Sequence, residues 1–267
     1  MRQIDRPRVY LVAKTMLMPE GLNAYLQDIG SPDWQIDQSV SDGENLVEAA
    51  GRMCYRSWQP YDPEKPEASN PNVTNVRRGN ARYIANVLKS GHGSVLEHVN
   101  ATFICRNVSR VFTHELVRHR AGMAYSQESL RYVRLDDLPV WIPDSARENP
   151  QAEQKFREVV DFLENAQKEL SEIFGIVEIS EFSRKKMLTS MFRRLAPIGI
   201  GTTIMVTGNL RAWRHIIAMR TSEHAEEEIR LVGAQIAEIC KKEFPNVFQD
   251  MKPDAQTGAW VSDHSKV

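Results

Sequence analysis

Apolar residues follow two different periods along this chain, and each period predicts a different kind of element. The segment Arg8–Lys14 is short, β-branched and aromatic, which predicts a buried strand. Further along, apolar positions alternate with mostly polar ones, the two-residue period of a half-buried strand. These apolar positions are Val99, Ala101, Phe103 and Cys105. The chain is therefore expected to contain a sheet.

Elsewhere apolar residues recur every three or four positions, which predicts amphipathic helices. Pro19 begins one helix, and Ser41 or Asp42 caps a second. The second helix carries its apolar residues at Leu46, Val47, Ala50, Met53 and Cys54. A third helix is predicted at about 77–89, because Gly91 is a typical helix end.

The rest of the chain also favours helices. Ser109 is a cap for a helix that we expect to end near Arg120. A long helix is indicated by Phe156, Val159, Leu163, Leu170 and Phe174. Others are predicted at Phe182–Phe192, at 209–220, and after a cap at 221–223. The last helix has its core stripe at Ile229, Val232, Ile236 and Ile239.

One long segment, 58–75, has no periodicity and is rich in proline and asparagine. Long loops of this kind often carry function, so a mobile lid or a subunit arm is one interpretation. A plain surface excursion is the other. With this loop, the chain 1–267 is interpreted as a single domain.

Composition limits the class of protein. The chain has 267 residues, 42% apolar and 26% charged, typical of an ordinary globular protein with one large domain or two small ones. The formal net charge is −1, so no global field favours nucleic acid or a membrane surface. Any recognition of anions must therefore be local.

The spacing of the cysteines and the lack of targeting signals indicate the cellular compartment of the protein. Cys54, Cys105 and Cys240 lie far apart with no C-x-x-C, which favours a reducing compartment over a disulfide framework. No signal-peptide core and no run of 18 apolar residues is present. We expect a cytoplasmic protein that has no membrane or nucleic-acid partner.

The segment 113–132 concentrates the candidate chemistry. Arg118, His119 and Arg120 stand together, and Arg131 follows within a polar tract at 125–132. A solvated helix end, where positive charge is favoured, is the ordinary interpretation of such a cluster. The adjoining tract of hydroxyls, amide, carboxylate and guanidinium favours ligand binding instead. Glu115 lies three and four residues before the first two cations, so it is expected to orient either of them.

A second candidate segment is 91–98. It contains two histidines and a glutamate, but not the H-E-x-x-H spacing, and no cysteine lies close, so we expect no catalytic metal. Gly93 and Ser94 are better suited to hold an anion at a helix start.

Two segments of the chain are rich in arginine and contain no lysine. Five arginines and no lysine occur in 110–134, and five more in 193–220. Bidentate recognition of phosphate, carboxylate or a pyrimidine edge selects arginine. On the helix at 209–220, Arg211, Arg214 and His215 are predicted to share one face. No G-x-G-x-x-G or Walker sequence is present, which argues against Rossmann and P-loop proteins.

Taken together, these segments resemble the flavin-dependent thymidylate synthases. That family's signature is Arg-His-Arg, seven residues, and a serine that leads to Arg-Tyr. The similarity also covers 91–98, 193–197 and 209–225, in the same order and with similar separations. The matching signature residues here are Arg118, His119, Arg120, Ser129, Leu130, Arg131 and Tyr132.

The resemblance implies a set of roles for individual residues. For binding FAD it implies Ser94, Arg118, His119, Arg120, Gln127, Asn209, Arg211 and His215. Around deoxyuridine monophosphate (dUMP) it implies Glu115, Arg118, Gln127, Glu128, Ser129, Leu130, Arg131, Arg193 and Arg220. Of these, Arg220 and Ser129 are the expected catalytic residues, with Arg220 contacting the uracil and favouring ionisation of its N3.

The resemblance also implies the fold and the reaction. Members of the family are α+β subunits, with a central, mainly antiparallel sheet wrapped by helices. They form homotetramers with shared active sites. They convert dUMP to thymidine monophosphate (dTMP) with methylenetetrahydrofolate as carbon donor, FAD as redox carrier and NADPH as reductant. Such a cofactor performs the difficult chemistry while the protein supplies position and charge.

The chain departs from the family pattern in three places. Eight residues, 121–128, separate Arg120 from Ser129, and we expect the added residue within 121–124, where small residues can absorb it. Glu115 stands where the family often has Gln, and His215 where some members have Asn.

Two other functions remain open. One is a flavoenzyme of this scaffold acting on another pyrimidine nucleotide. The other is an arginine-rich nucleic-acid-binding protein, which the net charge disfavours.

Overall fold

A four-stranded antiparallel sheet forms the centre of the molecule. The computed structural model describes residues 1–130 and 137–267. The described strands are β1 (Arg2–Gln3), β2 (Arg8–Lys14), β3 (Asn100–Ser109), β4 (Met123–Gln127), β5 (Pro139–Val140), β6 (Gly201–Asn209), β7 (Met251–Pro253) and β8 (Trp260–Ser262). The central sheet has the strand order β2-β3-β6-β4, and two short two-stranded pairs, β1 with β5 and β7 with β8, lie outside it.

The two inner strands build the core because alternate side chains point to the same face. On β3, Ala101, Phe103 and Cys105 are fully buried, as their period predicts. Phe103 lies opposite Val206 of β6, and Val206 in turn lies opposite Tyr125 of β4. The ring of Phe103 also packs edge-on against Trp213, with 5.0 Å between ring centroids. The sheet therefore fixes the positions of the segments on either side of it.

Helices surround this sheet, which confirms the predicted α+β class. The described helices are α1 (Pro19–Asp28), α2 (Asp42–Tyr55), α3 (Asn80–Lys89), α4 (Arg110–Leu116), α5 (Asp144–Arg147), α6 (Pro150–Ile173), α7 (Phe182–Phe192), α8 (Leu210–Arg220) and α9 (Glu227–Glu243). Two predicted caps are present: Ser41, one of the two candidates for the second helix, forms a capping box with Glu44, and Ser109 caps α4. Asn209, which was expected inside its helix, is the cap of α8. In the described part of the chain, no helix is both long and apolar enough to cross a bilayer.

Several predicted boundaries were wrong. The strand at Arg8–Lys14 forms with the expected bounds, but the prediction that it is buried was wrong, since it is an edge strand whose side chains are largely exposed. The third helix begins at Asn80 and not near Arg77. The last helix takes Glu226 as its cap, whose carboxylate accepts the N–H groups of the first turn, so the predicted cap at 221–223 is replaced.

The helix that carries Glu115 ends at Leu116, four residues before the predicted end. The amide of Val117 still bonds to the carbonyl of Thr113, and the next amides bond only three residues back, as in a tightening last turn. Arg118, His119 and Arg120 therefore do not fan out around a helix. They follow it as a turn.

The loop 58–75 has no helix or strand, as predicted. It is nevertheless packed on the molecule, because Trp58 and Ala68 are buried in one cluster with Leu26 and Ile29 of the first helical segment. The Trp58 amide also donates to the Ala68 carbonyl at 3.2 Å. A role as lid or subunit arm stays a prediction.

Candidate active site

A side chain of β4 holds the Arg118-His119-Arg120 turn in place. The Tyr125 hydroxyl donates to the Leu116 carbonyl at 3.0 Å and also to the His119 carbonyl. Burial raises the pKa of Tyr125 to about 12, so the hydroxyl keeps its proton at neutral pH. One phenol therefore connects the end of α4 to the turn.

The turn then approaches the start of α8. The Asn209 amide donates to the Gly122 carbonyl at 3.1 Å, while the Asn209 side chain accepts the Ala212 amide at 2.8 Å. Gly122 has a φ of +69°, and a Cβ at this position would lie 2.2 Å from Asn209 Nδ2. Both the backbone conformation and the close approach require glycine. The added residue before Ser129 was predicted in this glycine-containing segment, and that placement stays a prediction.

A cavity of about 410 Å³ opens between this turn and α8. We call it the cofactor-side cavity. It brings together six of the eight residues assigned to the flavin, although they lie more than eighty positions apart in the sequence. Its lining consists of Glu97, Arg118, His119, Arg120, Ala121, Gly122, Asn209, Arg211, Ala212, His215 and Ile216.

Two of the assigned flavin residues, Ser94 and Gln127, do not line this cavity. The Gly93–His98 segment is a 3-10 helix, and Ser94 is exposed on it. Gly93 instead makes room for Arg211, since a Cβ there would lie 2.7 Å from the arginine Nε. Arg211 in turn pairs with Glu97, with 2.6 Å between Nη1 and Oε1.

Arg220, at the end of α8, connects the two predicted halves of the site. Its Nε donates to His119 Nε2 at 2.9 Å, and its Nη1 donates to Glu115 Oε2 at 3.0 Å. A third bond runs from Nη2 to the Glu115 backbone carbonyl at 3.2 Å. One guanidinium thus contacts a residue assigned to the flavin and a residue assigned to the nucleotide. The expectation that Glu115 orients Arg118 or His119 was wrong, because its carboxylate is directed to Arg220.

The contact with Arg220 also defines the state of His119. Because Nε2 accepts a hydrogen bond from a guanidinium, the ring proton resides on Nδ1. Partial burial, the charge of Arg220 and the nearby His215 lower the pKa of His119 to about 4. The His119 and His215 rings are 5.8 Å apart between centroids and nearly perpendicular. At neutral pH this side of the cavity therefore contains a neutral imidazole.

The predicted Arg211, Arg214 and His215 face does not form as one unit. Arg214 is buried and points away from the cavity, with Nη1 2.7 Å from Asp250 Oδ1 and a further bond to the Val247 carbonyl. A residue one position before His215 on a helix points about 100° away from it, which explains the separation. Arg214 stabilises the C-terminal segment.

The polar tract after β4 is tied to neighbouring elements. Gln127 Nε2 donates to the Thr113 hydroxyl at 3.0 Å. The Glu128 carboxylate accepts the Thr203 amide at 3.0 Å, and the Glu128 carbonyl accepts a bond from Arg110 Nη2 at 2.8 Å. Side-chain and backbone groups of 127–128 are thus held against α4 and β6.

Leu130 and Arg193 border a second cavity of about 540 Å³, which lies against α6 and α7. We call it the helix-side cavity. Among the described residues, none lines both cavities. Ser129 lies in the loop just before it, and Arg131 falls outside the described residues. The assigned nucleotide residues therefore do not share one cavity: Arg118 lines the cofactor-side cavity, whereas Leu130 and Arg193 border the helix-side cavity.

Some residues of the site were not assigned from the sequence. Glu97 belongs to a segment that attracted attention for its histidines, but its ion pair with Arg211 depends on a contact across more than a hundred positions. Thr113 resembles an ordinary helix residue in the sequence, whereas Tyr125 begins the polar tract 125–132 but received no role of its own. The glycine of 121–124 also carried a local signal, since glycine often marks a required close approach.

The cofactor-side cavity is suited to an anionic, planar cofactor such as FAD. Arg118 and Arg120 are exposed at its edge, and Glu97, which supplies the one lining carboxylate among the described residues, is already paired with Arg211. Guanidinium groups are good partners for a pyrophosphate, and the imidazoles and Ile216 offer flat or apolar surface for a ring. Within 1–130 and 137–267, no group of three metal-ligating side chains could hold a metal ion.

Comparisons with known proteins identify the family of this chain. The family model for the thymidylate synthase complementing protein matches residues 36–246. A flavin-dependent thymidylate synthase of Corynebacterium diphtheriae is 39% identical over 223 residues, covering 82% of this chain and 83% of the relative. One from Mycobacteroides abscessus is 37% identical over 259 residues, covering 94% and 92%.

A solved structure shares the fold. It is described as the UMP/dUMP methylase PolB from Streptomyces cacaoi bound with 5-Br dUMP, and it matches with a TM-score of 0.60 and 17% identity. The match covers 93% of this chain and 96% of that one. Given the family match and relatives of this identity along most of its length, the chain is an enzyme that belongs to the family of the flavin-dependent thymidylate synthases.

Proposed function

We propose that this enzyme converts dUMP to dTMP, with methylenetetrahydrofolate as carbon donor, FAD as redox carrier and NADPH as reductant. The names of the curated relatives support this reaction. The single observation that carries the proposal is the position of Arg220, whose guanidinium contacts both Glu115 and His119. A residue that contacts both sides is suited to a reaction in which nucleotide and flavin must meet.

On the cofactor side, Arg118, His119, Arg120, Asn209, Arg211 and His215 would hold the FAD, which supplies electron transfer when bound. Glu97 keeps Arg211 directed along the cavity wall. Neutral His119 accepts the hydrogen bond from Arg220 and so restricts the rotation of that guanidinium. Ser94 and Gln127 are assigned to the same cofactor by resemblance.

On the nucleotide side, Arg220 would lie against the uracil and stabilise negative charge as N3 loses its proton. Such a donor contributes most where charge develops in the reaction. Glu115 orients the guanidinium through its carboxylate and through its backbone carbonyl. An acid beside a uracil would by itself oppose ionisation of the base, but the pairing with Arg220 offsets its charge.

The remaining assigned residues, Gln127, Glu128, Ser129, Leu130, Arg131 and Arg193, would surround the rest of the nucleotide, with Arg118 near both ligands. Ser129 is retained as a catalytic residue on the resemblance. The bonds from Gln127 to Thr113 and from Glu128 to Thr203 fix the backbone from which these side chains extend.

The deciding experiment is tritium release from C5-labelled dUMP in the presence of methylenetetrahydrofolate and NADPH. Release that depends on both co-substrates is expected. Leaving out NADPH is the matched control, since the reductant is consumed at each turnover. Release without any added folate, or none under all conditions, would contradict the proposed reaction.

A separate test concerns the flavin. We expect the purified protein to be yellow, with one FAD per subunit. Replacing His119 and Arg211 together by Ala should remove the FAD while far-UV circular dichroism stays unchanged, because both residues lie at the cavity and outside the core. A colourless wild type that takes up no added FAD would exclude the flavin assignment.

A second candidate function is the same chemistry on another pyrimidine nucleotide. The observations that favour it are the carboxylate of Glu115 in place of the usual amide and the added residue before Ser129. The structural neighbour is described as a UMP/dUMP methylase, so UMP is the informative comparison. Tritium release from UMP but not from dUMP, by the same flavin-loaded protein, would establish this alternative.

We also propose a homotetramer with shared active sites, located in the cytoplasm. Half of the exposed large apolar side chains among the described residues fall within 156–198, on and around α6 and α7. Such a concentration is typical of a surface covered by another subunit. The three free cysteines are compatible with a reducing compartment.

A further inference from the structure

Thr113 lies on α4, two positions before Glu115, and has no assigned role. The residue is buried, with 4% of its surface exposed. Its hydroxyl contacts the Arg110 carbonyl at 3.3 Å and Gln127 Nε2 at 3.0 Å. A buried hydroxyl that is engaged on both sides is held in one orientation, and it holds its partners in turn.

The chemistry of these three groups decides the direction of both hydrogen bonds. A carbonyl oxygen only accepts, so the Thr113 hydroxyl donates its proton to the Arg110 carbonyl. The same hydroxyl must then accept from Gln127, and only the N–H groups of the Gln127 amide can donate. The amide nitrogen is therefore directed to Thr113, and the amide oxygen, Oε1, is directed away from it.

Gln127 Oε1 is left as an open acceptor in a fixed place. In the part of the chain that the structure describes, no donor bonds to it. The backbone of Gln127 pairs with Ile204 at the end of β4, and the next amide, of Glu128, donates to the Thr203 carbonyl at 3.0 Å. The sheet thus fixes the backbone, and Thr113 fixes the side chain. Such an acceptor selects a ligand group that donates an N–H or O–H.

The nucleotide is the better source of that donor. Gln127 does not line the cofactor-side cavity, although the resemblance assigns it to both ligands. It directly precedes Glu128, Ser129 and Leu130, which are assigned to the nucleotide. At neutral pH dUMP offers the uracil N3–H and the 3′-hydroxyl as donors, since its phosphate is mostly ionised and accepts.

We propose that Thr113 is a positioning residue for the nucleotide: it orients the Gln127 amide so that Oε1 accepts a hydrogen bond from the N3–H or the 3′-hydroxyl of dUMP. The inference rests on the proposed function, because it takes dUMP as the ligand that Gln127 contacts. Thr113 acts only through Gln127. Without the hydroxyl the amide is free to turn, and an N–H facing the donor of the nucleotide forms no hydrogen bond.

The test compares replacements of Thr113 in flavin-loaded protein. Thr113→Val keeps the shape and removes the hydroxyl, so the Kd for dUMP should rise about 3- to 10-fold, the size of one lost hydrogen bond. Thr113→Ser keeps the hydroxyl and should stay within about twofold of wild type. Thr102→Val removes a hydroxyl that bonds to Thr207 within the sheet, and it is the matched control with unchanged affinity. If Thr113→Val does not fold, Thr113→Ala decides by the same comparison.

A double-mutant cycle separates positioning from a purely structural role. In a Gln127→Ala background, Thr113→Val should change the Kd for dUMP less than about twofold, because the group that it orients is gone. Equal losses in both backgrounds would show that the hydroxyl supports α4 and not Gln127, which overturns the inference. A weaker affinity for FAD with unchanged affinity for dUMP would also overturn it, since Gln127 would then serve the cofactor.

Two analogues identify the donor on the nucleotide. One is dUMP methylated at N3, and the other is dUMP without its 3′-hydroxyl. The analogue that lacks the donor should bind equally to wild type and Thr113→Val. If Thr113→Val weakens both analogues as much as dUMP, neither group donates to Gln127 and the inference is wrong. Wild-type protein that binds no dUMP would contradict the proposed function itself, whereas wild-type affinity in Thr113→Val contradicts the inference alone.

Discussion

At the scale of single residues, Arg220 concentrates three polar contacts in one guanidinium. The Arg220 side chain is 19% exposed and the Glu115 side chain is 29% exposed. The pair is therefore partly shielded from water and still reachable by a ligand. An ion pair at such a site contributes modestly to stability, but it restricts the orientation of both partners. The importance of these residues therefore lies in turnover more than in folding.

Replacing Arg220 by Ala should lower turnover about a hundredfold or more, the typical effect of removing one donor from a developing charge. Flavin content should stay within about twofold of wild type, since Arg220 does not line the cofactor-side cavity. Tritium release and flavin absorbance measure the two effects. Arg82→Ala, an exposed arginine on α3, serves as control. Turnover near that of wild type would remove Arg220 from the catalytic residues.

Glu115 can be tested by two replacements that separate orientation from charge. Glu115→Gln keeps an oxygen acceptor for Arg220, so kcat should stay within about fivefold of wild type. Glu115→Ala leaves only the backbone carbonyl as acceptor and should lower kcat about tenfold or more, with a smaller change in KM. Steady-state kinetics on dUMP measure both. Equal losses in both variants would show that the charge itself is required.

At the scale of elements, α4 depends on a buried carboxylate from α9. Glu228 is 2% exposed, and it accepts the Ser109 amide at 2.7 Å and also the Ser109 hydroxyl. Ser109 caps α4 by accepting the Phe112 amide at 3.1 Å. The helix that carries Glu115 is therefore positioned from its first residue by a neighbouring helix. This is the kind of contact that a tertiary fold adds to a local cap.

Burial raises the pKa of Glu228 to about 7, which makes this contact dependent on pH. Because the folded pKa lies above the ordinary value, the stability that protonation contributes is complete at low pH and is lost as pH rises through about 7. Glu228→Gln cannot ionise and should lack this loss. Its Tm relative to wild type should therefore increase between pH 5 and pH 8, by the equivalent of about 1–3 kcal/mol. A Tm difference that does not change with pH would contradict the raised pKa.

At the scale of the whole molecule, the helical pair α6 and α7 leaves a large apolar surface exposed. Phe162 is 70% exposed and Val177 is 82% exposed, values unusual for side chains of this size. The central core, by contrast, is closed around Phe103, Trp213 and Phe248. A second copy covering α6 and α7 would remove this surface from water.

The assembly prediction takes the number of subunits from the family resemblance and the place of the interface from that surface. Light scattering after gel filtration should give a mass about four times 30.5 kDa for wild type. Phe162→Asp combined with Val177→Asp should give smaller species, because two charges in an apolar interface oppose its burial. Val261→Asp, at an exposed apolar residue on β8, is the control that should keep the wild-type mass. A monomeric wild type, or a double variant of unchanged mass, would argue against this interface.

The sequence by itself determined most of the elements and the chemical class of the site. The period of β3, the caps Ser41 and Ser109, and the helix at Phe182–Phe192 were all predicted, because these signals depend on neighbours within a few residues. The family was also identified from the spacing of its motifs, and the comparisons confirm it. Membership in an enzyme family therefore followed from the sequence without the structure.

Only the tertiary structure decided which charged groups meet. Glu115 was expected to orient a cation on its own helix, but it pairs with Arg220, which is 105 positions away. Arg214 was expected to face the ligand, but its partner Asp250 belongs to the C-terminal segment. The early end of α4 placed Arg118, His119 and Arg120 on a turn that the Tyr125 hydroxyl holds. Such contacts depend on how distant segments pack, and local propensity contains no information about that packing.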